Sequence, residues 1–172
     1  MASRLVVSGV EEYVFEPDRD ITRAEFAAIL VRGLGLMRPG VGQDRFNDVI
    51  KQNWYYDAVT IASDYGLIFG YGNGKFGPNE PITREQAMAM IARAIQVTKP
   101  EVNLSGDEAS TILAGYTDTS IAADYAIPGK AACVKTGLIS GRDQNTLAPK
   151  DNITRAEVAL IVQKLLQKSK LI

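Results

Sequence analysis

The sequence predicts a mainly α-helical chain of tandem helix-loop-helix repeats, on three observations. The phrase Ile-Thr-Arg-Ala-Glu, or a close variant, occurs at Ile21–Glu25, Ile82–Gln86 and Ile153–Glu157. Each copy opens an apolar run with helical spacing. A fixed register precedes each copy: counted back from Thr22, Thr83 and Thr154, a glycine stands at 13 (Gly9, Gly70, Gly141), a large apolar residue at 7 (Phe15, Phe76, Leu147) and a proline at 5 (Pro17, Pro78, Pro149). The threonines lie 61 and 71 residues apart, so the period is that of a supersecondary unit with one insertion.

The phrase itself is a helix start. Its threonine and the Glu or Gln three residues on form a capping box, and the preceding isoleucine can staple to Phe26, Ala87 or Val158. The arginine is the odd choice. At the first helical position a cation meets the positive end of the dipole, a cost of roughly 0.3–1 kcal/mol at most. Free backbone N–H groups and a guanidinium converging there suit an anion; the plain alternative is an exposed arginine with no task. As an exposed side chain it would carry little packing, so Arg84→Ala or Arg155→Ala is expected to leave the fold intact.

A complete repeat begins with an aromatic-x-Asp, Phe46-Asn47-Asp48 or Tyr116-Thr117-Asp118. A first helix follows around Trp54–Tyr65 and Tyr125–Thr136, with Val59, Ile61 and Ala62, or Ala131, Ala132 and Val134, on one face. Gly66 and Gly137 fall where a helix C-terminal glycine belongs. A short apolar segment and a turn rich in Gly, Asn and Asp lead through the proline to the cap. The second helices place Phe26, Ile29, Leu30 and Leu34, then Ala87, Met90, Ile91, Ala94 and Ile95, then Val158, Ile161, Val162, Leu165 and Leu166 inward.

The first repeat lacks its aromatic-x-Asp and first helix, since Leu5–Gly9 already matches Leu67–Gly70 and Leu138–Gly141. The chain divides into residues 1–40 (the back half of the first repeat), 44–99 (the second), 100–115 (a surface linker with room for a short helix) and 116–172 (the third).

Composition narrows the function classes. Nineteen basic residues balance 20 acidic ones, without the basic excess of a nucleic-acid binder. The apolar stretches are amphipathic, so no membrane span is expected, and no secretory signal is visible. The absence of histidine removes Ser-His-Asp and Cys-His catalysis and His-ligated zinc. Cys133, the single cysteine, sits in an apolar run and reads as a core residue. Gly72–Gly77 matches G-x-G-x-x-G, but no strand precedes it and Pro78 follows at once. Asp143 starts a calcium-loop-like run that has Ala148 and Thr154 where glycine and a bidentate Glu are needed. The pairs Glu11–Glu12 and Asp107–Glu108 lie in polar segments and read as solvated, not as a glycosidase dyad. No cofactor is expected.

With these motifs in this order, nearly the whole chain resembles a set of S-layer homology repeats. That resemblance implies a pseudo-three-fold helical bundle that holds proteins on the bacterial cell surface, outside the cell. It implies non-covalent binding of a secondary cell-wall polysaccharide, typically with pyruvate ketals on N-acetylmannosamine. It also implies that the cap arginines, Arg23, Arg84 and Arg155, take the acidic group in grooves between repeats. Gly9, Gly70 and Gly141, with Ser8 and Ser140 beside two of them, would line the sugar's approach. Asp48 and Asp118 match the acid that opens each repeat, and Trp54 the aromatic of the first helix, with Tyr125 in its place in the third repeat. A planar carboxylate suits a bidentate guanidinium. For the same residues structural readings stay open: packing for Trp54, turn acceptors or helix caps for the aspartates, backbone geometry for the glycines.

Tyr125 for tryptophan, Phe69-Gly70-Tyr71 for the Ser-Gly of the other copies, Gln86 for the acid, and the missing half-repeat together point to fewer than three competent sites. Two other readings stand beside this one: a protein-interaction module, for self-assembly or for docking a partner, whose missing half-repeat comes from another chain, which leaves monomer and swapped oligomer both open; and an enzyme acting on wall polymers, which nothing in the sequence supports.

Overall fold

A computed structural model describes residues 15–98 and 104–172. Among these described residues are six α-helices: α1 (Arg23–Gly33), α2 (Tyr56–Asp64), α3 (Arg84–Thr98), α4 (Gly106–Leu113), α5 (Ile127–Lys135) and α6 (Arg155–Lys168). Among the described residues the β-type pairings are isolated bridges: Asp20 with Thr154, Thr22 with Pro81, and Thr83 with Asn152. The chain is therefore mainly helical, as its periodicity predicts.

Two compact bodies divide the helices. One holds the described residues up to Ile82 together with Thr154–Ile172; the other is Thr83–Ile153. In the first, α1 packs on α2 and on α6. Its core includes Ile21, Phe26, Leu30, Val59, Leu67 and Phe76, all fully buried. A side chain such as Phe26 contributes about 2–3 kcal/mol by leaving water. In the second body α5 packs on both α3 and α4, around Met88, Ile91, Ala131, Leu138 and Leu147.

Local chemistry sets the helix ends. Thr22 with Glu25, and Thr154 with Glu157, form complete capping boxes. At α3 Gln86 serves as well: its amide N–H donates to Thr83 Oγ1 at 3.4 Å and its side-chain oxygen accepts from Thr83 N at 3.2 Å. α2 ends in a Schellman motif. Gly66 (φ +66°) donates to Ser63 O and Leu67 donates to Ala62 O, and Gly137 (φ +65°) and Leu138 repeat this at the end of α5. Of the predicted inward positions on α1, α3 and α6, all but Leu34 are buried.

Within residues 104–115 lies one short helix, α4. Ser105 and Glu108 form a fourth capping box, and α4 buries Ala109 and Leu113 while packing on α5. Glu108 of the carboxylate pair is thus a cap residue. Asp143, the head of the calcium-like run, accepts from Asn145 N and Thr146 N and closes a turn.

Candidate functional site: the arginine-clasped turns

Each cap arginine is buried, contrary to the exposed position its place in the helix suggests. Arg23 and Arg84 are 3% exposed and Arg155 is 5% exposed. Arg23 Nε donates to Phe76 O at 2.8 Å and its Nη2 to Phe69 O at 3.2 Å. Arg84 repeats this on Leu147 O (2.8 Å) and Ser140 O (3.1 Å). Arg155 Nε donates to Phe15 O at 2.9 Å. Every arginine thus reaches the carbonyl seven residues before a cap threonine in a different repeat. The first repeat reaches the second, the second the third, and the third the first.

The helix N-termini are engaged in the same way. Arg23 N and Ala24 N donate to Glu80 O and Pro78 O; Arg84 N and Glu85 N to Asp151 O and Pro149 O; Arg155 N and Ala156 N to Arg19 O and Pro17 O. The third amide of each helix is taken by the cap threonine. The N–H groups that sequence reasoning left free for an anion are filled by a neighbouring turn. A buried N–H or C=O must find a partner, and here the repeats supply each other's.

Asp48 and Asp118 hold the same turns from the other side. Asp48 accepts from Phe76 N (2.9 Å) and Gly77 N (2.8 Å). Asp118 accepts from Leu147 N (2.9 Å) and Ala148 N (2.7 Å). Both aspartates thus accept from turn amides.

Gly70 and Gly141 sit where the chain folds back on itself. A Cβ at Gly70 would lie 2.4 Å from Lys75 O and 2.7 Å from the Phe46 ring; at Gly141 it would lie 2.4 Å from Asp143 O and 2.5 Å from Thr146 O. Both positions exclude any larger residue. Ser8 and Gly9 lie outside the described residues.

Aromatic surface surrounds the first of these clasps. The Arg23 guanidinium lies 4.7 Å from the ring centres of both Tyr71 and Phe76. Tyr71 and its neighbour Phe69 are themselves exposed, at 47% and 61%. Arg155 lies 5.1 Å from the ring of Phe15, and its Nη1 is 3.6 Å from Glu25. Burial, then repulsion from Arg19, lowers the pKa of Arg155; an arginine remains a cation regardless. Trp54 and Tyr125 are exposed, at 61% and 55%, so neither is core. Trp54 meets Tyr55 edge-on.

Sequence reasoning missed a buried polar network in the second body. Glu85 stands where the other copies have Ala24 and Ala156. It is 4% exposed, accepting from Lys150 Nζ at 2.6 Å and Ala123 N at 3.0 Å. Lys130, in the register of Val59, is fully buried and donates to Thr119 O at 3.0 Å. Burial lowers its pKa, against the raising effect of Glu85 and Asp118. The departure of both residues from their repeat partners was the signal available. Cys133 is enclosed, and burial pushes its thiol pKa upward, away from reactivity.

Helices clasped through their own cap motifs define a helical-repeat module. Comparison with protein-family models matches the S-layer homology domain at residues 1–27, 45–88 and 115–159. The chain is 36% identical over 171 residues to the amylopullulanase of Thermoanaerobacterium thermosulfurigenes, covering 98% of this chain and 9% of that protein. It is 34% identical over 169 residues to exoglucanase XynX of Acetivibrio thermocellus (98% and 15%). It is 29% identical over 165 residues to the surface-layer 125 kDa protein of Lysinibacillus sphaericus (94% and 13%). The chain belongs to the S-layer homology domain family. It is an envelope-anchoring, cell-surface module, and it spans only 9–15% of the length of these relatives. Among the described residues no helix is long and apolar enough to cross a membrane.

Proposed function

We propose that this module tethers a larger protein to the bacterial envelope by binding an acidic secondary cell-wall polysaccharide, with a pyruvate-ketal carboxylate as the recognised group. The observation that carries the reading is the Arg23 clasp. A desolvated guanidinium lies against Tyr71 and Phe76, with exposed Tyr71 and Phe69 beside it. A cation in low dielectric acts on a nearby carboxylate more strongly than one in water, and the aromatics offer flat faces for sugar rings. Arg84 and Arg155 are the corresponding cations of the other two clasps, while Trp54 and Tyr125 are exposed aromatic platforms. Gly70, Gly141 and Ser140 supply the close backbone next to the arginines, and Asp48 and Asp118 fix the turns that carry the carbonyls.

The copies differ, and the Arg23 clasp is the strongest candidate. Arg84 has Leu147 where Arg23 has Phe76, and Arg155 shares its surroundings with Glu25. Sedimentation of the chain with cell-wall sacculi tests the reading. Binding to intact sacculi and loss of binding after extraction of the secondary polymer is the expected result. Equal binding to the bare peptidoglycan would refute it.

A further inference from the structure

In every clasp the second helical residue meets the same place on its turn: Ala24 N donates to Pro78 O, Glu85 N to Pro149 O and Ala156 N to Pro17 O. The residues that follow those prolines are Asn79, Lys150 and Asp18. We propose that Glu85 is a pairing key: it makes the cap of α3 selective for the third repeat and turns it away from the other two turns. The partner it fits is a proline turn followed by a cation.

The backbone alone does not choose. Each cap offers two amides and an arginine, each turn offers the matching carbonyls, and the three sets of bonds are alike. Selectivity among such similar surfaces, within one copy or between two, needs a side chain that penalises the wrong partner.

Glu85 has the chemistry to do so. It is 4% exposed. Its Oε1 accepts from Lys150 Nζ at 2.6 Å and its Oε2 from Ala123 N at 3.0 Å. Lys130, fully buried, is a second cation whose charge acts on it. Lys150, Ala123 and Lys130 all belong to the third repeat. The first turn would set Asp18 against Glu85 and the second would set Asn79, and the second repeat has Val59 in the register of Lys130. A buried carboxylate that faces another carboxylate, or that has no cation, is strongly disfavoured. Ala24 and Ala156, at the same helical position, impose no such choice. Because Lys150 is half exposed, the pair itself adds little to stability; what it changes is the cost of the wrong partner. Fixing register is the best-attested use of such a pair.

The test is refolding from denaturant at high protein concentration, read by size-exclusion chromatography with light scattering. The parent should return as one species. Glu85→Ala combined with Lys150→Asn gives the α3 clasp the residues of the α1 clasp, Ala24 and Asn79, so its melting temperature should stay near the parent's. Its fraction of exchanged, higher-mass species should rise about tenfold, the scale of about 1.4 kcal/mol of lost discrimination. Asp18→Lys leaves the second body untouched and gives Glu85 another acceptable turn. It should raise the same fraction, and it keeps the test open should the double variant fail to fold. A parent of several species, or variants that return as one species in the parent's yield, would overturn the key. So would a lowered melting temperature with one species, the mark of a pair that only stabilises.

Discussion

Asp48 and Arg23 take hold of one residue from its two ends: Asp48 Oδ1 accepts from Phe76 N at 2.9 Å, and Arg23 Nε donates to Phe76 O at 2.8 Å. Asp118 and Arg84 do the same to Leu147. The aspartate belongs to the repeat that owns the turn, and the arginine arrives from the repeat before it. Loss of either leaves a buried polar group without its partner. Asp48→Ala and Arg23→Ala are each expected to destabilise the chain by about 1–3 kcal/mol. Because both act through Phe76, the double variant should cost less than the sum of the two, by 0.5 kcal/mol or more in a chemical-denaturation cycle.

Arg84→Ala tests the same interlock in the second body. Sequence reasoning expects an exposed side chain and an intact fold, whereas the structure places the guanidinium on Leu147 O and Ser140 O at 3% exposure. The variant should lose about 1–3 kcal/mol of unfolding free energy. Arg84→Lys should recover only part of this, since one ammonium cannot reproduce the fork that spans two carbonyls.

The position six residues before each cap threonine is left-handed in all three copies: Glu16 at φ +50°, Gly77 at +71° and Ala148 at +50°. Its carbonyl accepts from the residue three further on in each turn. Only the middle copy carries the residue suited to that backbone. Ala148→Gly is therefore expected to raise stability by about 1 kcal/mol, read as a higher melting temperature. Gly77→Ala should lower it, both for the backbone and because its Cβ would fall 2.8 Å from the Glu80 and Tyr71 side chains.

Glu25 gives the chain an acid-sensitive contact. Burial on its own would raise its pKa, but hydrogen bonds from Arg19 and the Thr22 amide outweigh that and hold it below the ordinary glutamate value. A carboxylate with a lowered folded pKa stabilises above its unfolded pKa, and that contribution is lost as pH falls through the folded one. Gln86 already completes a capping box at α3, so Glu25→Gln removes the charge and keeps the cap. The parent should exceed this variant by about 1 kcal/mol near neutral pH, and the gap should close below the ordinary glutamate value of 4.5.

What was legible in the sequence was local. The threonine caps, the glycines that end α2 and α5, and the inward faces of α1, α3 and α6 all follow from contacts a few residues apart. The fate of the arginines did not, because their partners lie 46 to 140 residues away. A cap motif read alone leaves its amides and guanidinium open to an outside anion; the turn of another repeat was there to fill them. The turn bonds of Asp48 and Asp118 were no more legible, because the amides they meet, at Phe76, Gly77, Leu147 and Ala148, lie 28 to 30 residues further on. α4 was weakly signalled because its apolar face is just Ala109 and Leu113.

The acidic group of the wall polymer is the part of the account most open to direct measurement. Calorimetric titration of the chain with purified secondary polymer, before and after mild acid removal of its ketal groups, isolates that group without altering the protein. A loss of at least tenfold in affinity, about 1.4 kcal/mol, is the predicted result. Equal dissociation constants for the two polymer forms would contradict recognition of the carboxylate by the clasped arginines.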